Sequence, residues 1–223
     1  MIVFGSSMSP FVRKVLAFAA EKQIEIEARR VAPGSDNLDF RAASPFGKMP
    51  ALQDGDFRIS DSSAIVVYFE ALRPTPDLIP LEPRARARAI WFDEFADTIF
   101  FACVSQMFFN RIVAPISLGH PGDLALAAKA ETEELPPLLD YLEGQLTRSG
   151  FLVEDRLTLA DIAVASPFAN LAHCGVDIGE RPKLKAYVDG ILSRPSFAVW
   201  VARESAFLVD HAAGKAASYS HPE

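Results

Sequence analysis

The sequence predicts an α/β N-terminal domain of order βαβαββα followed by an all-α helical bundle. Up to about Leu72, strand-like and helix-like segments alternate, as expected of a small α/β unit with a mixed sheet. Arg73-Pro74-Thr75-Pro76, with Pro80 and Pro83 beyond, then breaks both periodicities. After this break apolar residues recur only at helical spacing. The expected organisation is an N-terminal domain over 1–73, a linker over 74–84 and a helical domain over 85–223.

Ile2–Phe4 is a short buried strand, and Gly5-Ser6-Ser7-Met8-Ser9 turns it into a helix. Pro10 suits the first helical position and Ser9 the N-cap before it. The helix expected over Phe11–Lys22 carries Val12, Val15, Leu16 and Ala19 on one stripe, with Arg13 and Lys14 off it. Ile24–Ala28 alternates apolar and charged residues, the pattern of a half-buried strand. A Pro33–Asp36 loop leads to a short helix around Leu38–Ala43, and Ser44–Pro50 is rich in turn residues. Ala51–Gln53, the Asp54-Gly55 turn and Phe57–Ile59 read as a hairpin. The Ser60–Ser63 cluster then starts a helix over Ala64–Leu72.

The bundle begins with a long helical pattern from Arg84 to about Arg111 and continues from Asp123 to about Gly144. Three more helices are expected over Leu159–His173, Pro182–Leu192 and Pro195–Leu208, with a polar tail after Ala212. Thr158-Leu159-Ala160-Asp161 reads as a capping box with Asp in place of Glu, opening an unusually apolar helix in which Pro167 predicts a kink or a local rearrangement.

The chain has 223 residues, 50% hydrophobic and 23% charged, which is ordinary for a globular protein with a real core. A net charge of −7 argues against nucleic acid or an anionic membrane surface as the main partner. Cys103 and Cys174 sit in apolar helical segments as free thiols, and His120, His173, His211 and His221 lack metal-ligand spacing, so no metal is expected. The start lacks the apolar core of a signal peptide, and no window reaches eighteen uncharged apolar residues; the expected location is the cytoplasm.

Five segments, in order, resemble the cytosolic glutathione transferase superfamily. Ser-Pro-Phe-Val-Arg-Lys-Val (9–15) is similar to that family's catalytic turn and first helix, and Gly-Lys-Met-Pro-Ala-Leu (47–52) to the segment whose proline is cis. Ile-Ser-Asp-Ser-Ser-Ala-Ile (59–65) resembles its acidic residue–serine element. Leu-Thr-Leu-Ala-Asp-Ile-Ala (157–163) resembles its buried capping box, and Leu-Ser-Arg-Pro-Ser-Phe (192–197) its closing segment. The resemblance implies a thioredoxin-like first domain that binds glutathione, an all-α second domain, a homodimer, and an apolar electrophile as second substrate.

Glutathione reacts as its thiolate. A thiol near pKa 8.5 is mostly protonated at neutral pH, and lowering it by about two units takes roughly 2.7 kcal/mol of preferential anion stabilisation. On residues alone Ser9 is an N-cap worth about 1 kcal/mol; the resemblance assigns it the O–H that holds the sulfur, with Ser7 as second candidate. It likewise implies glutathione contacts from Phe11, Lys48, Met49, Pro50, Asp61 and Ser62. Asp61 would take the γ-glutamyl ammonium, Ser62 the α-carboxylate, Lys48 the glycyl carboxylate and Met49 the cysteinyl backbone. The redox-active branches of the family carry cysteine where Ser9 stands, so disulfide exchange is disfavoured. Phe101, Val104, Phe108 and Arg111 lie at spacings of three, four and three on one helix face, a core stripe or the lining of an apolar pocket. Two other readings share the fold. One is a glutathione-dependent isomerase or dehalogenase, against whose isomerase branch Met8 after Ser6-Ser7 counts; the other is a non-catalytic binding protein.

Overall fold

The computed structural model describes residues 1–32 and 34–214; Pro33 and the tail beyond 214, including His221, lie outside the described residues. The chain forms two compact units, one of residues 1–81 with 195–223 and the other of residues 82–194.

The first unit has the thioredoxin-like arrangement: a four-stranded mixed sheet ordered β2-β1-β3-β4, with β1 (Ile2–Phe4), β2 (Glu27–Arg29), β3 (Ala51–Asp54) and β4 (Phe57–Ser60). β1 runs parallel to β2 and antiparallel to β3, and β3 pairs antiparallel with β4. The helices are α1 (Pro10–Glu21), α2 (Leu38–Ala43) and α3 (Ser62–Leu72). Phe4, Phe40, Ala43 and Ala51 share a buried cluster with Val31, the rings of Phe4 and Phe40 lying 6.2 Å apart.

β2 lies later than the alternation over Ile24–Ala28 suggests. Gln23 turns the chain out of α1 at φ 54, and the Ile24 N–H donates back to the Ala19 carbonyl, so these residues serve the helix exit before pairing begins at Glu27. Arg13 and Lys14, expected off the apolar stripe, are both buried. The helix Pro195–Ala212 lies in the first unit, whereas the periodicity grouped 85–223 in one helical domain. It packs on α1, and its buried Glu204 pairs with Arg13.

The second unit is helical throughout its regular elements. Its first helix, Pro83–Ser117, outruns the expected end at Arg111 and widens to π geometry over Phe95–Phe100 and Phe109–Ser117. By length and composition this helix is apolar enough to cross a membrane. In this fold it is a bundle helix, packing on Leu159–His173 with Phe100 and Phe168 rings 4.9 Å apart. Gly122 packs directly on this helix: a Cβ there would stand 2.0 Å from the Asn110 carbonyl oxygen, and Asn110 Oδ1 accepts the Asp123 N–H at 2.8 Å. A helix over 124–145 follows, with a π turn at Ala130–Glu134.

Leu159–His173 and Pro182–Leu192 match the sequence expectation. The former is buried from Leu159 to Leu171 and remains α-helical through Pro167. At its start the Asp161 carboxylate accepts the Thr158 N–H at 2.8 Å, the Thr158 hydroxyl at 3.1 Å and the Leu152 N–H at 2.9 Å. Burial pushes this carboxyl up to about 6, against the opposing pull of those hydrogen bonds.

Candidate functional site

Two antiparallel strand pairings bring three chain segments side by side at one end of the first unit's sheet. Phe4 pairs across to Ala51, and Ala51 to Ser60, so one row of the sheet ends in three adjacent segments. These are the turn after Phe4, the segment before Ala51 and the residues after Ser60. Segments distant in sequence thus meet because strand register aligns their ends.

The first segment is the turn Gly5–Ser9. Gly5 has φ 147, and a Cβ there would stand 2.5 Å from Val12 Cγ2 and 3.5 Å from Met49 Cβ, so only glycine lets the turn fold onto α1 and the second segment. The Ser9 N–H donates to the Ser6 carbonyl at 2.9 Å, and the Arg13 N–H to the Ser9 carbonyl at 3.0 Å, closing the first turn of α1. Ser9 has the extended backbone of an N-cap, yet its side chain makes no cap hydrogen bond. It is half-buried, and no acidic residue occupies the first helical turn. The positive end of the α1 dipole is therefore not offset by a side-chain carboxylate of its own first turn. Ser7 is wholly buried and has interactions of its own within the fold. Phe11 is half-buried beside them.

The second segment is Lys48-Met49-Pro50. Buried Ser44 donates its hydroxyl to the Lys48 carbonyl at 2.6 Å and fixes the approach. The Met49–Pro50 bond is cis. Lys48 is exposed, Met49 half-buried and Pro50 buried.

The third segment starts α3. The Asp61 N–H donates to the Pro50 carbonyl at 3.3 Å, tying it to the second segment. Asp61 holds φ 92, a strained conformation for a residue with a Cβ and one that concentrates at functional positions. Its Oδ1 accepts the Ala64 N–H at 3.0 Å as N-cap, while the residue stays exposed, leaving Oδ2 for another donor. Ser62 follows, 4% exposed, in the first turn of α3. Ser9, Met49, Pro50, Asp61 and Ser62 are thus gathered with two helix N-termini beside them.

The four residues of the aromatic face lie in the second unit. Val104 is wholly buried, Phe108 is 7% exposed and Phe101 is half-buried, so most of this face is core. Arg111 falls in the second π stretch, where hydrogen bonds reach five residues along, so the three-residue step from Phe108 loses its α-helical phase. Its guanidinium forms an ion pair with Glu131.

Burial pushes the thiols of Cys103 and Cys174 each up to about 11, which leaves neither as an activated nucleophile. Among the described residues no group of three or more His, Cys, Asp or Glu side chains is placed to hold a metal ion. Sequence reasoning missed the burial of Arg13, Lys14 and Glu204. The available signal was a pair of cations flanked by valines in an otherwise apolar helix.

The family models for the glutathione S-transferase N-terminal and C-terminal domains match residues 3–77 and 96–195. Glutathione S-transferase 3 of Zea mays is 32% identical over 211 residues, covering 90% of this chain and 92% of that protein. A solved glutathione S-transferase from Rhodospirillum rubrum superposes with a TM-score of 0.81 at 26% identity, covering 88% of this chain and 89% of the other. A theta class glutathione S-transferase from Xanthomonas axonopodis pv. citri, solved with glutathione bound, does so at 0.78 and 27% identity, covering 90% and 96%.

Proposed function

The chain belongs to the cytosolic glutathione transferase superfamily, and on that premise we propose that it is a glutathione transferase that activates thiol through Ser9. The observation that carries this reading is the row Phe4–Ala51–Ser60, which gathers three polar segments at one sheet end. A tripeptide with an ammonium and a carboxylate at one end, a second carboxylate at the other and a thiol between them suits such a row.

In this reading the Ser9 hydroxyl donates to the sulfur and the α1 N-terminus favours its anionic form. The protein supplies no covalent nucleophile. The Met49 backbone pairs with the cysteinyl residue as an added strand. Asp61 Oδ2 takes the γ-glutamyl ammonium, Ser62 and the α3 N-terminus take the α-carboxylate, and Lys48 takes the glycyl carboxylate. The sulfur lone pair attacks the electrophilic carbon of an apolar substrate, the C–S bond forms, the leaving group departs with its electron pair, and the thiol proton passes to solvent. The uncommitted Ser9 hydroxyl supports Ser9 over buried Ser7 for this role. We also propose a cytoplasmic homodimer: Phe46 in the first unit, 87% exposed, offers an apolar side chain to a second copy.

Incubation with glutathione and an apolar aryl halide tests the reading. The expected product retains glutathione as a thioether, and Ser9→Ala lowers turnover by about 100-fold while glutathione affinity changes little. Glutathione regenerated at the end of turnover would indicate the isomerase or dehalogenase reading. No binding of glutathione would indicate a non-catalytic member.

A further inference from the structure

The helix Pro195–Ala212 runs antiparallel along α1, and side-chain hydrogen bonds join the two near both ends of α1. Near the start of α1, Arg13 and Glu204 form a bidentate pair, Nε to Oε1 at 3.2 Å and Nη2 to Oε2 at 2.7 Å, with both side chains fully buried. Eight residues further along α1 and eight earlier on the last helix, Ser196 Oγ donates to Glu21 Oε1 at 2.5 Å.

A buried ion pair contributes little net stability, because desolvating two charges offsets most of their attraction. Its geometry is another matter. Two parallel N–H···O contacts fix the plane of the guanidinium, and with it the rotation and axial position of the helix that bears it. That helix bears Ser9 at its start, and Arg13 itself donates its backbone N–H to the Ser9 carbonyl. The residue that closes the first turn on Ser9 is therefore the residue anchored by the last helix.

We propose that the Arg13–Glu204 pair is a positioning device through which the C-terminal helix aims Ser9 at the glutathione sulfur. Glu204 and Arg13 are positioning residues, and this inference rests on the reading of Ser9 given above. The pair is electrically neutral as a unit, so it acts by orientation and adds no net charge at the thiol. Lys14, the next residue of α1, donates to Ser63 Oγ, and Lys22, just past the end of α1, pairs with Glu70. The second pin, at Ser196, lies at the far end of α1 and has no lever on Ser9.

The test is an ultraviolet titration of the thiol of bound glutathione in five proteins: wild type, Ser9→Ala, the double variant Arg13→Met with Glu204→Leu, Glu204→Asp, and Ser196→Ala. The double variant removes both charges together, so a charge effect cancels and the titration reads geometry. The expected result is an apparent pKa raised by about one in the double variant, a tenfold fall in the thiolate-to-thiol ratio at a given pH, with Ser196→Ala unchanged. Glu204→Asp keeps the charge but withdraws the carboxylate by one methylene. It is expected to shift in the same direction, and it serves as the readout if the double variant does not fold. A pair that only supported the fold would lower the melting temperature and leave the titration at its wild-type position. That outcome, with Ser9→Ala shifted, would overturn the positioning role alone. An unshifted Ser9→Ala would instead overturn the reading of Ser9, and the positioning role with it.

Discussion

The helix that starts at Ser9 and the helix that starts at Thr158 both open with a hydroxyl residue in extended conformation, and they finish the cap in opposite ways. At Thr158 the Asp161 carboxylate accepts three hydrogen bonds in a fully buried site, and the helix it opens is buried from Leu159 to Leu171. At Ser9 the side chain makes no cap hydrogen bond, the first turn has no acid, and the residue remains half-buried. A closed cap has used its polar groups on its own backbone and serves the fold. An open cap keeps a donor and a dipole end for something else. Asp61 stands between them: one carboxylate oxygen caps α3, and the other stays available at a strained, exposed position.

Substitutions at the three starts should separate these roles. The largest effect is expected at the closed cap. Asp161→Ala leaves the Leu152 and Thr158 donors buried without their acceptor, costing roughly 3–5 kcal/mol of unfolding free energy in urea denaturation. The same carboxyl has a pH signature. Its folded pKa of about 6 lies above the ordinary 3.8, so the folded state binds the extra proton between those values, and stability declines as pH rises through that window. Denaturation at pH 4 and pH 7 should show that decline in wild type, with the Asp161 contribution missing from Asp161→Ala.

Next is the open cap. Ser9→Ala should reduce turnover by about 100-fold, equivalent to about 2.7 kcal/mol, while the unfolding free energy moves by less than about 0.5 kcal/mol. A stability loss near 1 kcal/mol with unchanged turnover would make Ser9 an ordinary cap and erase the contrast. At the intermediate start, Asp61→Ala should cost about 1 kcal/mol of stability and raise the dissociation constant for glutathione by about tenfold, measured by calorimetry. The smallest effect is expected at exposed Lys48, where Lys48→Ala should weaken glutathione binding about twofold with no change in melting temperature.

Sequence periodicity was enough for most of the elements because the two units use different repeats. The hairpin around Asp54-Gly55, the helix over Leu159–His173 and the break after Leu72 all carry strong local signals. β2 was displaced because its alternating residues overlap the exit from α1, a conflict settled by tertiary hydrogen bonds. The π stretches have no local signature, and they shift the phase of the face that runs from Phe101 to Arg111. Local signals marked the turn at Ser9, the segment at Met49-Pro50 and the start at Asp61, and the family resemblance assigned them to one site. Their meeting depends on the register Phe4–Ala51–Ser60, a long-range property that no single segment encodes. The return of the last helix to α1 was equally hidden, since one of its anchors is a carboxylate, Glu204, that looks like an ordinary surface residue until its partner is known.

In the proposed function, the cap at Ser9 is open because glutathione completes it. A crystal structure of the protein with glutathione tests this most directly. The sulfur is expected within hydrogen-bond reach of Ser9 Oγ, in front of the α1 N-terminus, with the γ-glutamyl ammonium on Asp61. A Ser9 hydroxyl turned inward onto the first-turn amides, with the sulfur placed elsewhere, would contradict it.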